Sequence, residues 1–430
     1  MAPRRSYDRS LDLLAAARRV VPGASQTLSK GPHMFVEGAY PVFLERGQDS
    51  RVWDVDGNVY TDYILGLAAI TLGYSYPAVN DAVARQLERG SIFSLPSPLE
   101  VDVAERLVGL IPCAEMVRFL KSGSEANAAA VRVARAATGR DVVIVSGYHG
   151  WHDWYAITTP LHRGIPKVFG DVIASFQYND LGSLEAALEQ HRGRVAAVMM
   201  EPVLLDEPWP GFLAGVKTLT HRHGALLIFD EIVTGFRWAI GGAQEHFGVV
   251  PDLATFGKGM ANGLPLAAVV GPRDLMRELE AVFVSSTFGG DALALAACRA
   301  TVEEYSRQPV IERLWAAGRR FQAGFGRRAE GTGVPARCLG YPVHPKITFE
   351  HERAETRRLL MSLFLQEAAK RGVILHFAGL NVSFSHTDAV IDESLEACGQ
   401  ALGVVAEALS DGRIRERLEG KPYLEAFKRA

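Results

Sequence analysis

The stretch GALLIFDEIVTGFRWAIGGAQEHFGVVPDLATFGKG, residues 224–259, decides the fold. It holds two short apolar runs, Leu226–Phe229 and Leu253–Phe256, each followed at once by polar, chemistry-bearing residues. A short continuous apolar run bounded by turn signals reads as a strand buried on both faces. Outward from this stretch the pattern repeats at Met116–Leu120, Val142–Val145, Val195–Met200 and Leu266–Val270. Helical patterns lie between most of these runs, at Glu125–Thr138, Leu184–Glu189 and Pro210–His223. Such alternation predicts an α/β fold around a largely parallel sheet. Ligands of these sheets sit beyond the carboxyl ends of the strands. The chemistry is therefore expected just after each apolar run.

The 430 residues suit two or three packed regions. Residues 61–300 read as the large domain. Beyond 301 the pattern changes: long helices at 301–330, 353–371 and 390–410 flank weaker strands at Lys346–Phe349, Val373–His376 and Asn381–Ser385. This predicts a smaller α+β domain over 301–430. Residues 1–60 offer one helix, short strands such as Val52–Val55 and a turn at Asp56–Gly57, and are expected to pack with the smaller domain.

Lys+Arg is 46 against Asp+Glu 49, a net charge of −3, so no basic excess argues for nucleic acid or an anionic membrane. Cys113, Cys298, Cys338 and Cys398 lie far apart, which indicates neither a disulfide framework nor a zinc knuckle and fits a reducing, cytoplasmic compartment. Leu11–Ala17 contains Asp12 and runs into Arg18–Arg19, the pattern of an amphipathic helix and not of a signal peptide. No apolar run is long enough to span a bilayer.

Four sets of residues follow the runs. Ser122 and Glu125 fit a capping box, and the small residues Gly123 and Ser124 open a helix N-terminus that could serve as a capped start or as an anion cradle. The segment Tyr148-His149-Gly150-Trp151-His152-Asp153 admits three readings: a packed aromatic loop, a stacking face at Tyr148, or metal ligands from His149, His152 and Asp153. Asp230 ends a buried run and needs a partner: a metal, a protonated ring nitrogen, or Arg237. Lys258 is one of nine lysines and the only one flanked by glycines between two apolar runs. Burial there would lower its pKa and suit it to a Schiff base, the alternative being a solvated turn lysine. Taken together, an anion cradle, a stacking aromatic, a buried carboxylate and an activated lysine match what pyridoxal 5′-phosphate (PLP) requires.

These residues also carry a resemblance. The text at 52–79, 117–140, 148–153, 224–237, 251–271 and 286–298 is similar to the class III, fold-type I PLP-dependent aminotransferases, and within them to glutamate-1-semialdehyde 2,1-aminomutase-like enzymes. The resemblance implies that Lys258 forms the Schiff base and shuttles protons, and that Asp230 keeps the pyridine nitrogen protonated. It implies that Tyr148 and Ile232 sandwich the ring and that Gly123 and Ser124 bind the phosphate. Thr287 would reach the phosphate of a neighbouring subunit, making a homodimer with shared active sites. Glu201 would support the cofactor, and Lys30, His152 and Asn179 would meet substrate. No metal is expected.

Two departures bear on the substrate. The aminomutases receive the substrate carboxylate on an N-terminal Arg, whereas this segment reads SQTLSKGP, with Lys30 nearest. They also carry a Glu before an Ala-Gly pair, where this chain has Phe377. A lysine matches a carboxylate less well than a forked guanidinium. The favoured expectation is an aminotransferase moving an amino group from a donor such as glutamate to a ketone or aldehyde, with an oxo-sugar as the acceptor. The alternative is a PLP isomerase, either an aminomutase or an epimerase at an amine-bearing carbon. A metal hydrolase is the reading from a different class.

Overall fold

The computed structural model describes residues 5–424. Contacts divide them into two units: 5–67, 71–76 and 312–424 in one, 68–70 and 77–311 in the other. The thirteen strands in chain order are β1 (Leu44–Gln48), β2 (Arg51–Asp54), β3 (Val59–Asp62), β4 (Met116–Leu120), β5 (Val142–Ser146), β6 (Ile173–Ser175), β7 (Val195–Met200), β8 (Leu226–Asp230), β9 (Leu253–Phe256), β10 (Ala267–Gly271), β11 (Ala336–Leu339), β12 (Lys346–Phe349) and β13 (Val373–Ile374).

The larger unit is built on a seven-stranded sheet in the order β4-β10-β9-β8-β7-β5-β6. The five strands from β9 to β6 are parallel, whereas β10 runs antiparallel to both β4 and β9. The apolar runs are continuous because both faces are covered. Val143, Val145, Ala197, Met199 and Ile228 pack on one side with the helix Gly123–Thr138. Their alternating neighbours Val142, Ile144, Val198, Met200, Leu227 and Phe229 pack on the other with the helices Leu181–Gln190 and Phe212–Arg222. Each of these Val, Ile, Leu, Met and Phe side chains contributes about 1.5–3 kcal/mol by leaving water.

The other unit joins the N-terminal segment to the C-terminal third. Its four-stranded sheet runs β1-β2-β3-β13, with β3 and β13 parallel. The β2–β3 turn is tied by Asp54, whose carboxylate accepts from the amides of Asp56 and Asn58 and from the Tyr60 hydroxyl. Antiparallel β11 and β12 make a separate pair.

Several sequence expectations shift. The boundaries fall at 68–77 and 311/312, not at 61 and 301. At the first, β3 pairs with β13 of the smaller unit; at the second, the helix Ala292–Arg307 packs on the helix Pro77–Leu87 of the larger unit. The helix expected over 301–330 is two helices, Ala292–Arg307 and Val310–Thr332. They are separated at Pro309, which lacks the amide a continuous helix needs. Asn381–Ser385 is no strand: Asn381 donates to the Tyr63 carbonyl and Phe384 and Ser385 to those of Thr71 and Leu72, and the segment ends in a turn. None of the described helices is long and apolar enough to cross a membrane. All four cysteines are free thiols, three of them buried.

Candidate active site

Strand register puts the chemistry on one edge. Leu120 pairs with Ala267, whose neighbour Ala268 pairs with Phe256. Thr255 pairs with Asp230, Phe229 with Met200 and Met200 with Ser146. The carboxyl ends of β4, β9, β8, β7 and β5 are therefore level. The residues that follow them are Lys121–Ser124, Gly257–Lys258, Ile232, Glu201 and Tyr148–Gly150.

The helix after β4 begins with a complete capping box. Ser122 Oγ accepts from the Glu125 amide, and Glu125 Oε2 accepts from the amides of Lys121 and Ser122. The Ala126 amide meets the Ser122 carbonyl. The amides of Gly123 and Ser124 are left, at the positive end of a sixteen-residue helix. Space around them is shaped by missing side chains. A Cβ on Gly150, at φ +102°, would lie 2.3 Å from Ser124 Oγ. A Cβ on Gly123 or on Gly257 would lie 3.1 Å from the same Ile232 Cδ1. Ile232 is thus seated between the cradle and the residue preceding the lysine. Lys258 is half-buried at φ +34°, an unusual backbone angle for a side chain other than glycine or asparagine.

Asp230 is buried and met on three sides. Its Oδ2 accepts from Asn127 Nδ2 at 2.7 Å and from His149 Nδ1 at 2.8 Å, and its Oδ1 accepts from the Ile232 amide at 3.1 Å. Oδ1 keeps a lone pair for one more donor. Facing a carboxylate, His149 Nδ1 carries the proton, and its buried Nε2 has no hydrogen-bond partner among the described residues. Thr255 Oγ1 donates to Asn127 Oδ1 at 2.6 Å and so turns the Asn127 amide nitrogen toward Asp230. The ion pair with Arg237 that the sequence allowed does not form: Arg237 is buried, donates to the Ala68 carbonyl, and is lowered to about 10 by burial.

Tyr148 has its amide held by Glu201 Oε2 at 2.8 Å and its ring edge-on to Tyr155, 5.7 Å away. Glu201 is buried and acts here through that amide. Three further expected residues of this unit, His152, Asn179 and Thr287, have other surroundings. His152 precedes the short helix Asp153–Ala156, its ring against Trp151. His149 faces Asp230 instead, so the two histidines and Asp153 are not gathered as ligands, and no other such group occurs among the described residues. Both ends of the Asn179 amide are used to brace a loop, through the Glu207 carbonyl and the Trp209 amide, where the sequence suggested a substrate contact. Thr287 is exposed at the tip of the loop before Ala292–Arg307, and Lys30 is exposed in the other unit.

Sequence reasoning missed Asn127 and Thr255 and left His149 open. A register signal was present: Asn127 shares a helix face with Ala130 and Ala134, so a polar side chain on that face had to find a buried partner.

The arrangement fits PLP. Two open helix amides suit a phosphate, a buried carboxylate with a spare lone pair suits a pyridine N–H, and Lys258 follows Gly257, which borders the same Ile232 side chain as Gly123. The class III aminotransferase family model matches residues 35–403. The chain belongs to the class III aminotransferases. The enzyme is 37% identical over 418 residues to a 3-aminobutyryl-CoA aminotransferase of Cloacimonas acidaminovorans, covering 95% of this chain and 100% of that protein. It is 34% identical over 425 residues to a glutamate-1-semialdehyde 2,1-aminomutase of Brevibacillus brevis, covering 92% and 98%. Among solved structures it is similar to the PLP form of the FumI protein of Sphingopyxis sp. MTA144, with a TM-score of 0.89, 28% identity, and 96% and 99% of the two chains covered. The enzyme is thus a PLP-dependent aminotransferase of fold type I.

Proposed function

We propose that the enzyme moves an amino group from a donor such as glutamate to a ketone or aldehyde, working as a homodimer whose two sites share residues. The observation that carries this reading is the convergence of Lys258, Asp230 and the Gly123–Ser124 amides at one sheet edge. When bound, PLP supplies the electron sink that labilises a bond at an amine-bearing carbon. The chain does the rest. Gly123 and Ser124 hold the phosphate through their amides. Asp230, held in place by two side-chain donors, would accept from the pyridine N–H and keep the proton on that nitrogen. Tyr148 and Ile232 bound the ring. Lys258 Nζ takes the proton that leaves the donor's amine-bearing carbon and returns one to the acceptor. Thr287 of each subunit completes the phosphate site of the other.

The acceptor is read as neutral where α-amino acids carry a carboxylate. Support comes from SQTLSKGP, which offers Lys30 and no guanidinium, and from the absence of any Arg between Arg371 and Arg413. The 37% identical relative acts on 3-aminobutyryl-CoA, whose acyl end is likewise an uncharged thioester. An oxo-sugar and a 3-oxoacyl thioester both meet this description. The test is spectral: candidate amines are added one at a time to the PLP form, and conversion to the pyridoxamine form is followed. Amino sugars or 3-aminoacyl thioesters should convert it faster than α-amino acids other than the donor. Turnover with no separate amino donor would replace this reading by the isomerase.

A further inference from the structure

Besides Lys258, one more of the nine lysines stands at the cofactor edge. Lys121 directly precedes the cap residue of the cradle helix. Its Nζ pairs with Asp291 Oδ2 at 2.9 Å, and the two side chains are only 18% and 19% exposed. Asp291 caps the next helix, its Oδ1 accepting from the Leu293 amide. One carboxylate therefore yokes the start of the cradle to the start of Ala292–Arg307, at the root of the loop that presents Thr287.

That loop is held along its length by cations from the cradle's own elements. Arg132, on the cradle helix, donates to the Phe283 carbonyl at 2.5 Å, and Arg118, on β4, donates to the Val284 carbonyl at 3.3 Å. Gly289 packs so closely on β4 that a Cβ would lie 3.1 Å from the Phe119 carbonyl oxygen. Thr287 and Phe288 are exposed at the tip, as are the side chains of Phe283 and Ser285 along the loop. The loop is rooted on the same strand and helix that form the phosphate cradle.

We infer that Lys121 is a positioning residue: through its pair with Asp291 it sets the Thr287 loop, and so links the cradle of one subunit to the phosphate site of the other. This rests on the shared-site reading given above. Among the three cationic tethers, Lys121 alone pairs with a side chain, the cap residue Asp291, and it adjoins the cap residue Ser122 of the cradle helix, so a change in the cradle moves the loop's root directly. A partly buried pair of this kind outweighs an exposed one because solvent screens it less.

The test uses heterodimers with one wild-type subunit and one subunit carrying Lys258→Ala, so that only the wild-type site holds cofactor covalently. Into the Lys258→Ala subunit are placed Lys121→Met, Asp291→Asn or Thr287→Ala. Asn still caps a helix, which guards against simple loss of the fold. The readout is the rate of PLP loss from the wild-type site, followed by absorbance. Lys121→Met and Asp291→Asn should each speed it roughly fivefold, and the two together no more than either alone. If Thr287→Ala speeds loss and the other two do not, the coupling is overturned while the shared site stands. If Thr287→Ala also has no effect, or the protein sediments as a monomer, the shared-site reading falls and the coupling with it.

Discussion

Asp230 and Glu231 are consecutive carboxylates at the end of one strand, both buried, and they point opposite ways. Asp230 turns to the cofactor edge, where Asn127, His149 and one amide meet it and a lone pair stays open. Glu231 turns away. Its oxygens accept from the Thr234 hydroxyl and from the amides of Ala243 at 2.7 Å and Gln244 at 2.9 Å. Burial pushes its carboxyl up to about 7 against those hydrogen bonds. The pair teaches that burial and charge do not by themselves mark a functional carboxylate. What separates the two is whether an acceptor position is left for something outside the chain.

Breaking each member should give different losses. Asp230→Asn should cut kcat/KM about a thousandfold while leaving the thermal midpoint within a few degrees, because the cofactor loses its anion and the fold does not. Glu231→Ala should do the reverse. It strands the Ala243 and Gln244 amides, and a denaturant titration should show about 2–4 kcal/mol of lost stability. His149→Phe keeps the ring shape and removes one of the two side-chain donors to Asp230. We expect about a tenfold fall in kcat, with the absorbance of bound PLP becoming more sensitive to alkaline pH.

The smallest effect separates the pair by pH. A carboxyl held above its ordinary value keeps its proton longer in the fold than in the unfolded chain. Glu231 therefore contributes stability that is complete below its ordinary 4.5 and is lost as pH rises through about 7. The steepest slope is at most about 1.4 kcal/mol per pH unit. Glu231→Gln should flatten this decline, and an unchanged decline would show that Glu231 does not titrate there.

The same contrast describes what could be read from the sequence. β4, β5, β7, β8 and β9 were legible because burial on both faces leaves runs with few polar residues. β6 was not: Ile173–Ser175 is three residues long and partly exposed at the sheet edge, too short to carry a pattern. The reversal of β10 was also hidden, since an apolar run reads the same in either direction. In the site, Lys258 and Asp230 stood out because their types are costly to bury. Asn127 and Thr255 did not, because each is meaningful only through the other, 128 positions away in sequence. Glu231 is the converse case, a buried carboxylate whose bonding is wholly internal.

The reversed strand has a consequence for the order of assembly. β4, which leads into the phosphate cradle, pairs with β10 and with no other strand among the described residues. A chain growing on the ribosome has therefore made β4 long before its only neighbour exists. The other strands of the sheet can zip from within, but the cradle waits until residue 271 has emerged. A nascent chain arrested before that point could already display Asp230 and Lys258 and still be unable to retain a phosphate.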